Sequence, residues 1–129
     1  MTRIFKNGWF DRFARKERLA DSALRDAMQR AESGLVDADL GGGVIKQRVA
    51  RPGKGKSGGY RTLVLFRHGD RAIFAFGFAK AKQANISKAD LALLRDAATE
   101  ALRWSDEELD RLVASGTLVE IEDDDDNEG

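Results

Sequence analysis

The chain has no cysteine, a single proline, a single histidine and a single tyrosine among 129 residues. Without cysteine there is no disulfide framework, no thiolate metal site and no thiol nucleophile. No apolar run approaches the roughly 18 residues of a membrane span, and the start Met-Thr-Arg-Ile-Phe-Lys lacks the apolar core of a secretory signal, so a cytoplasmic protein is expected. Histidine-rich metal or acid–base clusters are excluded by count alone, because His68 is the only imidazole. Its place in a His68-Gly69-Asp70 turn suits an exposed turn residue.

What the chain does have is charge, unevenly distributed. The formal net charge is zero, yet residues 1–82 carry 18 Lys and Arg against 8 Asp and Glu, and residues 83–129 carry 4 against 14. A basic surplus of that size steers anionic partners and favours nucleic acid over an acidic metabolite or a membrane surface. The densest part is Arg51-Pro-Gly-Lys54-Gly-Lys56-Ser-Gly-Gly-Tyr60-Arg61, a loop holding little besides glycine and positive charge, where a ligand can lie close to the backbone.

The periodicities predict one α+β domain over residues 1–121. Arg3 to Phe5 reads as a strand, and Asn7 as the N-cap of a helix whose Trp9, Phe10 and Phe13 are expected in the core. Asp21 is expected to cap a second helix carrying Leu24, Ala27, Met28 and Ala31, which Gly34 stops, making a helix hairpin. Three glycines break regular structure between Val36 and Gly43. Val44 to Arg51, Tyr60 to Arg67 and Arg71 to Ala79 then form the strands of a basic sheet-and-loop region spanning residues 41–80, the last two as an antiparallel hairpin. In the last strand Phe74, Phe76 and Phe78 are expected on one face, and apolar residues on both faces mark an interior strand. Residues 87–116 hold two helices begun by Ser87 and Ser105, and Thr117 to Ile121 an edge strand. Residues 122–129 are too acidic to pack and read as a disordered tail.

The segment from Asp39 through Gly41-Gly-Gly-Val-Ile-Lys46-Gln-Arg48-Val-Ala-Arg51 to Tyr60-Arg61-Thr-Leu63, with the later Phe76-Gly-Phe-Ala-Lys80 and Asn85-Ile86, resembles the RelE/ParE superfamily of toxin-antitoxin toxins. The resemblance covers nearly the whole chain. It implies a small α+β toxin with a RelE-like fold, a cognate antitoxin that holds it inactive, and, on the RelE side, ribosome-dependent cleavage of mRNA without metal or other cofactor. The ParE side of the superfamily implies instead a toxin that binds DNA gyrase, and a non-catalytic nucleic-acid-binding module is the third alternative.

Cleavage of RNA without a metal uses the 2′-hydroxyl as nucleophile, so a protein must accept a proton, stabilise a crowded phosphorane and protonate the leaving 5′-oxygen. Arg61 presents the planar fork suited to two phosphate oxygens. Lys54 and Lys56 stand among like charges that disfavour protonation, which suits one of them to proton transfer, and Lys80 joins them if the strands are adjacent. These four are the expected catalytic residues, with Lys46, Arg48, Arg51, Tyr60 and Lys82 as RNA contacts. Relatives in this family place a tyrosine or histidine in the C-terminal part; after Lys80 this chain has neither.

Overall fold

A computed structural model describes residues 2–51 and 55–122, with backbone alone for Arg51 and residues 55–58. The elements in chain order are β1 (Arg3–Asn7), α1 (Gly8–Glu17), α2 (Asp21–Glu32), β2 (Ala38–Gly41), β3 (Val44–Arg51), β4 (Gly55–Arg67), β5 (Arg71–Ala79), α3 (Lys88–Ala101), α4 (Asp106–Ala114) and β6 (Leu118–Ile121). The strands make one sheet in the order β2-β3-β4-β5-β1-β6, antiparallel except where β1 runs parallel to β5. This is the α+β architecture that the periodicities predict. The acidic tail beyond Glu122 lies outside the described residues.

Helices cover the sheet on both sides. Phe10, Ala14, Leu24, Ala27, Met28 and Ala31 of α1 and α2 pack on Ile45, Val49, Tyr60, Val64 and Phe74 on the first face. Ala98, Ala101 and Leu109 of α3 and α4 pack on Val44, Leu63, Leu65, Ile73 and Phe78 on the second. Close approach is bought with glycine at two places. A Cβ on Gly77 would lie 2.9 Å from the ring of Phe13, and one on Gly43 (φ +87°) would lie 2.6 Å from Leu102 beyond the end of α3.

Several local expectations are corrected. Residues 38–41 are not an irregular linker: they pair with β3, and Gly42 and Gly43 form the turn of that hairpin. Asp21 is the first residue of α2 and not its cap; the N-cap is Ala20, and the Asp21 carboxylate instead accepts from Lys6 at 3.1 Å. The caps at Asn7, Ser87 and Ser105 form as their sequences imply, the last as a full capping box with Glu108. Trp9 is not core, being 39% exposed.

The three phenylalanines of β5 do not share a face. Leu63 pairs with Phe76 and Val64 with Phe74, which leaves Ala75 as an extra residue, a β-bulge. The bulge reverses the alternation, so Phe74 meets Phe10 on the first face while Phe76 and Phe78 point to the second. Asn7 holds this point from the neighbouring strand. Its side-chain Nδ2 donates to the Ala75 carbonyl at 3.2 Å, and its Oδ1 accepts the N–H of Phe10 at 2.8 Å to start α1.

Candidate nucleic-acid interface

The second face of the sheet is covered by α3 only over one end. At the other end, where β3 and β5 finish and β4 begins, that face carries cations. Arg61 sits on β4 between Arg48 on β3 and Phe78 on β5, its register partners on either side. Because partners and alternate residues share a face, Lys46 on β3 is a diagonal neighbour of Arg61 at about 7–8 Å. Lys80, whose N–H donates to the Gly59 carbonyl at 3.3 Å, continues the β5 ladder and is the corresponding diagonal neighbour on the other side.

Arg61 is half-buried, and among the described residues its Nη1 is buried without a hydrogen-bond partner. Buried donors are nearly always satisfied, because leaving one unpaired costs about 1–3 kcal/mol, more for a charged group. A donor kept in that state suits an anionic oxygen as its partner. Lys46 is held at the rim, its Nζ donating to Asn85 Oδ1 at 3.5 Å, so the segment after β5 folds back over the sheet end. Asn85 in turn accepts from the N–H of Ile86 at 2.9 Å.

The remaining expected residues are distributed differently. Lys80 and Lys82 are exposed in the turn that follows β5. Arg48 starts on the same face as Arg61, but its side chain leans over the strand edge toward Asp37, with Nε 3.8 Å from Oδ1. Lys54 and the side chains of Arg51 and Lys56 lie outside the described residues. Tyr60 is corrected: alternation turns it to the first face, where it is 1% exposed, meets Phe13 edge-on and donates its hydroxyl to Glu17 Oε1 at 2.8 Å. Its ring is core, away from the cations. His68 is at the opposite end of β4, exposed in the turn to β5, with Nε2 3.0 Å from the Glu32 carbonyl.

The family model for the RelE toxin of the RelE / RelB toxin-antitoxin system matches residues 2–121. The chain belongs to the RelE toxin family. No curated protein matches it. RelE toxins pair with an antitoxin, and the match spans every described strand and helix. Among the described residues no helix is long and apolar enough to cross a membrane.

Proposed function

We propose that this RelE-family toxin inhibits translation by cleaving mRNA on the ribosome, with Arg61 as the residue that clamps the scissile phosphate. The observation that carries the reading is the buried, unpartnered Nη1 of Arg61 in a surface flanked by Lys46 and Lys80. The attacking 2′-oxygen forms a bond to phosphorus while the bond to the 5′-oxygen breaks, leaving a 2′,3′-cyclic phosphate and a 5′-hydroxyl. Negative charge on the non-bridging oxygens peaks between these events, and a guanidinium fork aimed there lowers the barrier. Lys54 and Lys56, with Lys80, are the groups assigned to proton transfer. Lys46, with Arg48, Arg51 and Lys82 farther out, is assigned to the neighbouring phosphates, which position the strand without reading its bases.

Primer extension on mRNA after induction tests the proposal. New 5′ ends within translated codons are the expected result, and they should vanish with Arg61→Ala. Growth arrest without new ends, accompanied by inhibition of DNA supercoiling, would replace this reading with a gyrase-directed toxin.

A further inference from the structure

We propose that the outer face of α1 is a second RNA-binding surface, in which Trp9, Arg12 and Lys16 continue the Arg61 face around the open edge of β5. The inference rests on the RNA reading of the Arg61 face and extends it to residues on the other side of the sheet. Positions 9, 12 and 16 are spaced by three and four residues, so they form one stripe along the helix. All three are exposed. Arg15 on the same helix is tied to Asp11 at 2.8 Å, whereas Arg12 and Lys16 make no ion pair among the described residues. The guanidinium of Arg12 is folded back toward the start of the helix, where a Cβ on Gly8 would stand 3.4 Å from its Nη1.

Trp9 connects this stripe to the sheet. Its ring lies 5.2 Å from Phe13 on the helix and 4.6 Å from Phe76 on β5, and Phe76 lies 6.4 Å from Phe78, the register partner of Arg61. The two surfaces meet here because β1 stops short. Its pairing with β5 ends at Lys6 and Phe74, and the bulge at Ala75 then turns Phe76 to the cationic face. Beyond that point no described strand covers the edge of β5 on the β1 side, and the partly exposed Trp9 and Phe76 occupy it.

Aromatic groups beside unpaired cations suit a single-stranded nucleic acid, whose bases meet rings while its phosphates meet ammonium and guanidinium groups. The α3 and α4 side is more acidic, with Asp96, Glu100, Asp106, Glu107 and Asp110 exposed beside Arg95 and Arg103, and Glu100 lines one pocket with Trp9, so the cationic stripe is bounded at Trp9. An RNA strand leaving the Arg61 clamp along β5 therefore meets Trp9 first and then Arg12 and Lys16.

The test uses the full chain and a short 2′-O-methyl RNA oligonucleotide, which cannot supply the nucleophile, with binding measured across a salt series. Arg12→Ser/Lys16→Ser should reduce the magnitude of the salt slope by about 1.4, two counter-ions at roughly 0.7 each for a single strand. Trp9→Ala should weaken binding roughly 5- to 150-fold with the slope unchanged, and Trp9→Phe should recover most of it. An unchanged slope in the double variant, with binding that still depends on Arg61, overturns the α1 surface and leaves the Arg61 reading standing. Variants that bind the oligonucleotide normally but lose affinity for the antitoxin overturn it in favour of a protein contact. Failure of the wild-type chain to bind either the oligonucleotide or mRNA-programmed ribosomes at low salt overturns the RNA reading, and the α1 surface with it.

Discussion

Arg48 and Arg61 stand directly opposite each other in the β3–β4 ladder. Like charges in that relation destabilise a sheet by a few tenths to about 1 kcal/mol, and the unpartnered Nη1 of Arg61 adds to the cost. Arg48 relieves part of it by leaning to Asp37. Among the described residues Arg61 has no such outlet, which is consistent with the proposed phosphate clamp. Arg61→Ala is expected to lower cleavage by about 10²- to 10³-fold while leaving stability unchanged or higher by up to about 1 kcal/mol. Urea denaturation alongside a growth assay checks both halves. A loss of stability in the variant would make Arg61 a structural residue.

Lys46 and Lys80 flank Arg61 from the two neighbouring strands, and both are expected to contact phosphate, Lys80 in addition to its part in proton transfer. Alanine at either should reduce the magnitude of the salt slope for single-stranded RNA by about 0.7, and alanine at both by about 1.4. The Lys54→Ala/Lys56→Ala pair is expected to act in the same direction and also to slow cleavage at saturating ribosomes. Equal slopes for wild type and Lys46→Ala/Lys80→Ala would remove these two lysines from the interface.

Asp37 guards an exposed edge. Beyond the end of β2, the N–H of Arg48 donates to Asp37 Oδ2 at 2.6 Å and its carbonyl accepts from Arg30, so side chains replace a missing strand. Asp37→Ala leaves that N–H open to a neighbouring chain. The expected outcome is a stability loss of about 1–2 kcal/mol together with concentration-dependent self-association, read by denaturation and light scattering. A monodisperse variant of unchanged stability would show that the edge needs no guard.

Acid should loosen the seat of α3. Burial alone pushes the Asp70 carboxyl up, but hydrogen bonds and charge from Arg71 and Arg67 more than reverse this and leave it below the usual carboxylate range. Asp70 accepts from Arg71 Nε at 2.9 Å, and Arg71 Nη1 caps α3 by donating to the Ala101 carbonyl at 3.1 Å. A depressed carboxyl contributes stability that is present above the unfolded value of about 3.9 and is lost as pH falls below it. Asp70→Asn should therefore be less stable than wild type at pH 7, with the gap closing toward pH 3. A gap that does not narrow at all as pH falls below the ordinary carboxylate range would assign the effect to packing.

Charge alone would make the acidic tail a competitor for the basic surface, but the direction of β6 argues against it. Ile121 pairs with Ile4 at the end of the sheet where β5 begins, whereas Arg61 lies near the end of β5. Three strand spacings and five residues of rise put the two ends roughly 22 Å apart. The seven residues after Glu122 span about 25 Å only when fully extended. Truncation after Ile121 is expected to leave RNA affinity at low salt unchanged. Tighter binding by the truncated chain, shrinking as salt rises, would restore the competition.

Most of the element plan was legible in the sequence because it rests on local signals. Asn7, Ser87 and Ser105 cap their helices through hydrogen bonds to residues three positions on, and Gly34 and Gly116 follow helix ends with positive φ. Trp9, Arg12 and Lys16 were open to the same reading, since helical spacing alone puts them on one face. The family resemblance was carried by the run from Asp39 to Leu63.

What pairing decides is a different class of fact. Strict alternation would place Phe74, Phe76 and Phe78 together; the bulge at Ala75, anchored by Asn7 from another strand, separates them and brings Phe78 beside Arg61. Tyr60 and Arg61 are adjacent in sequence and alike in promise for RNA, yet the pleat buries one against Phe13 and leaves the other among the cations. Composition determined that the first two thirds of the chain attract anions and that cysteine chemistry is absent. Only the register of β3, β4 and β5 decided which cations share a surface, because a side chain's face depends on its partner strand as much as on its own residue.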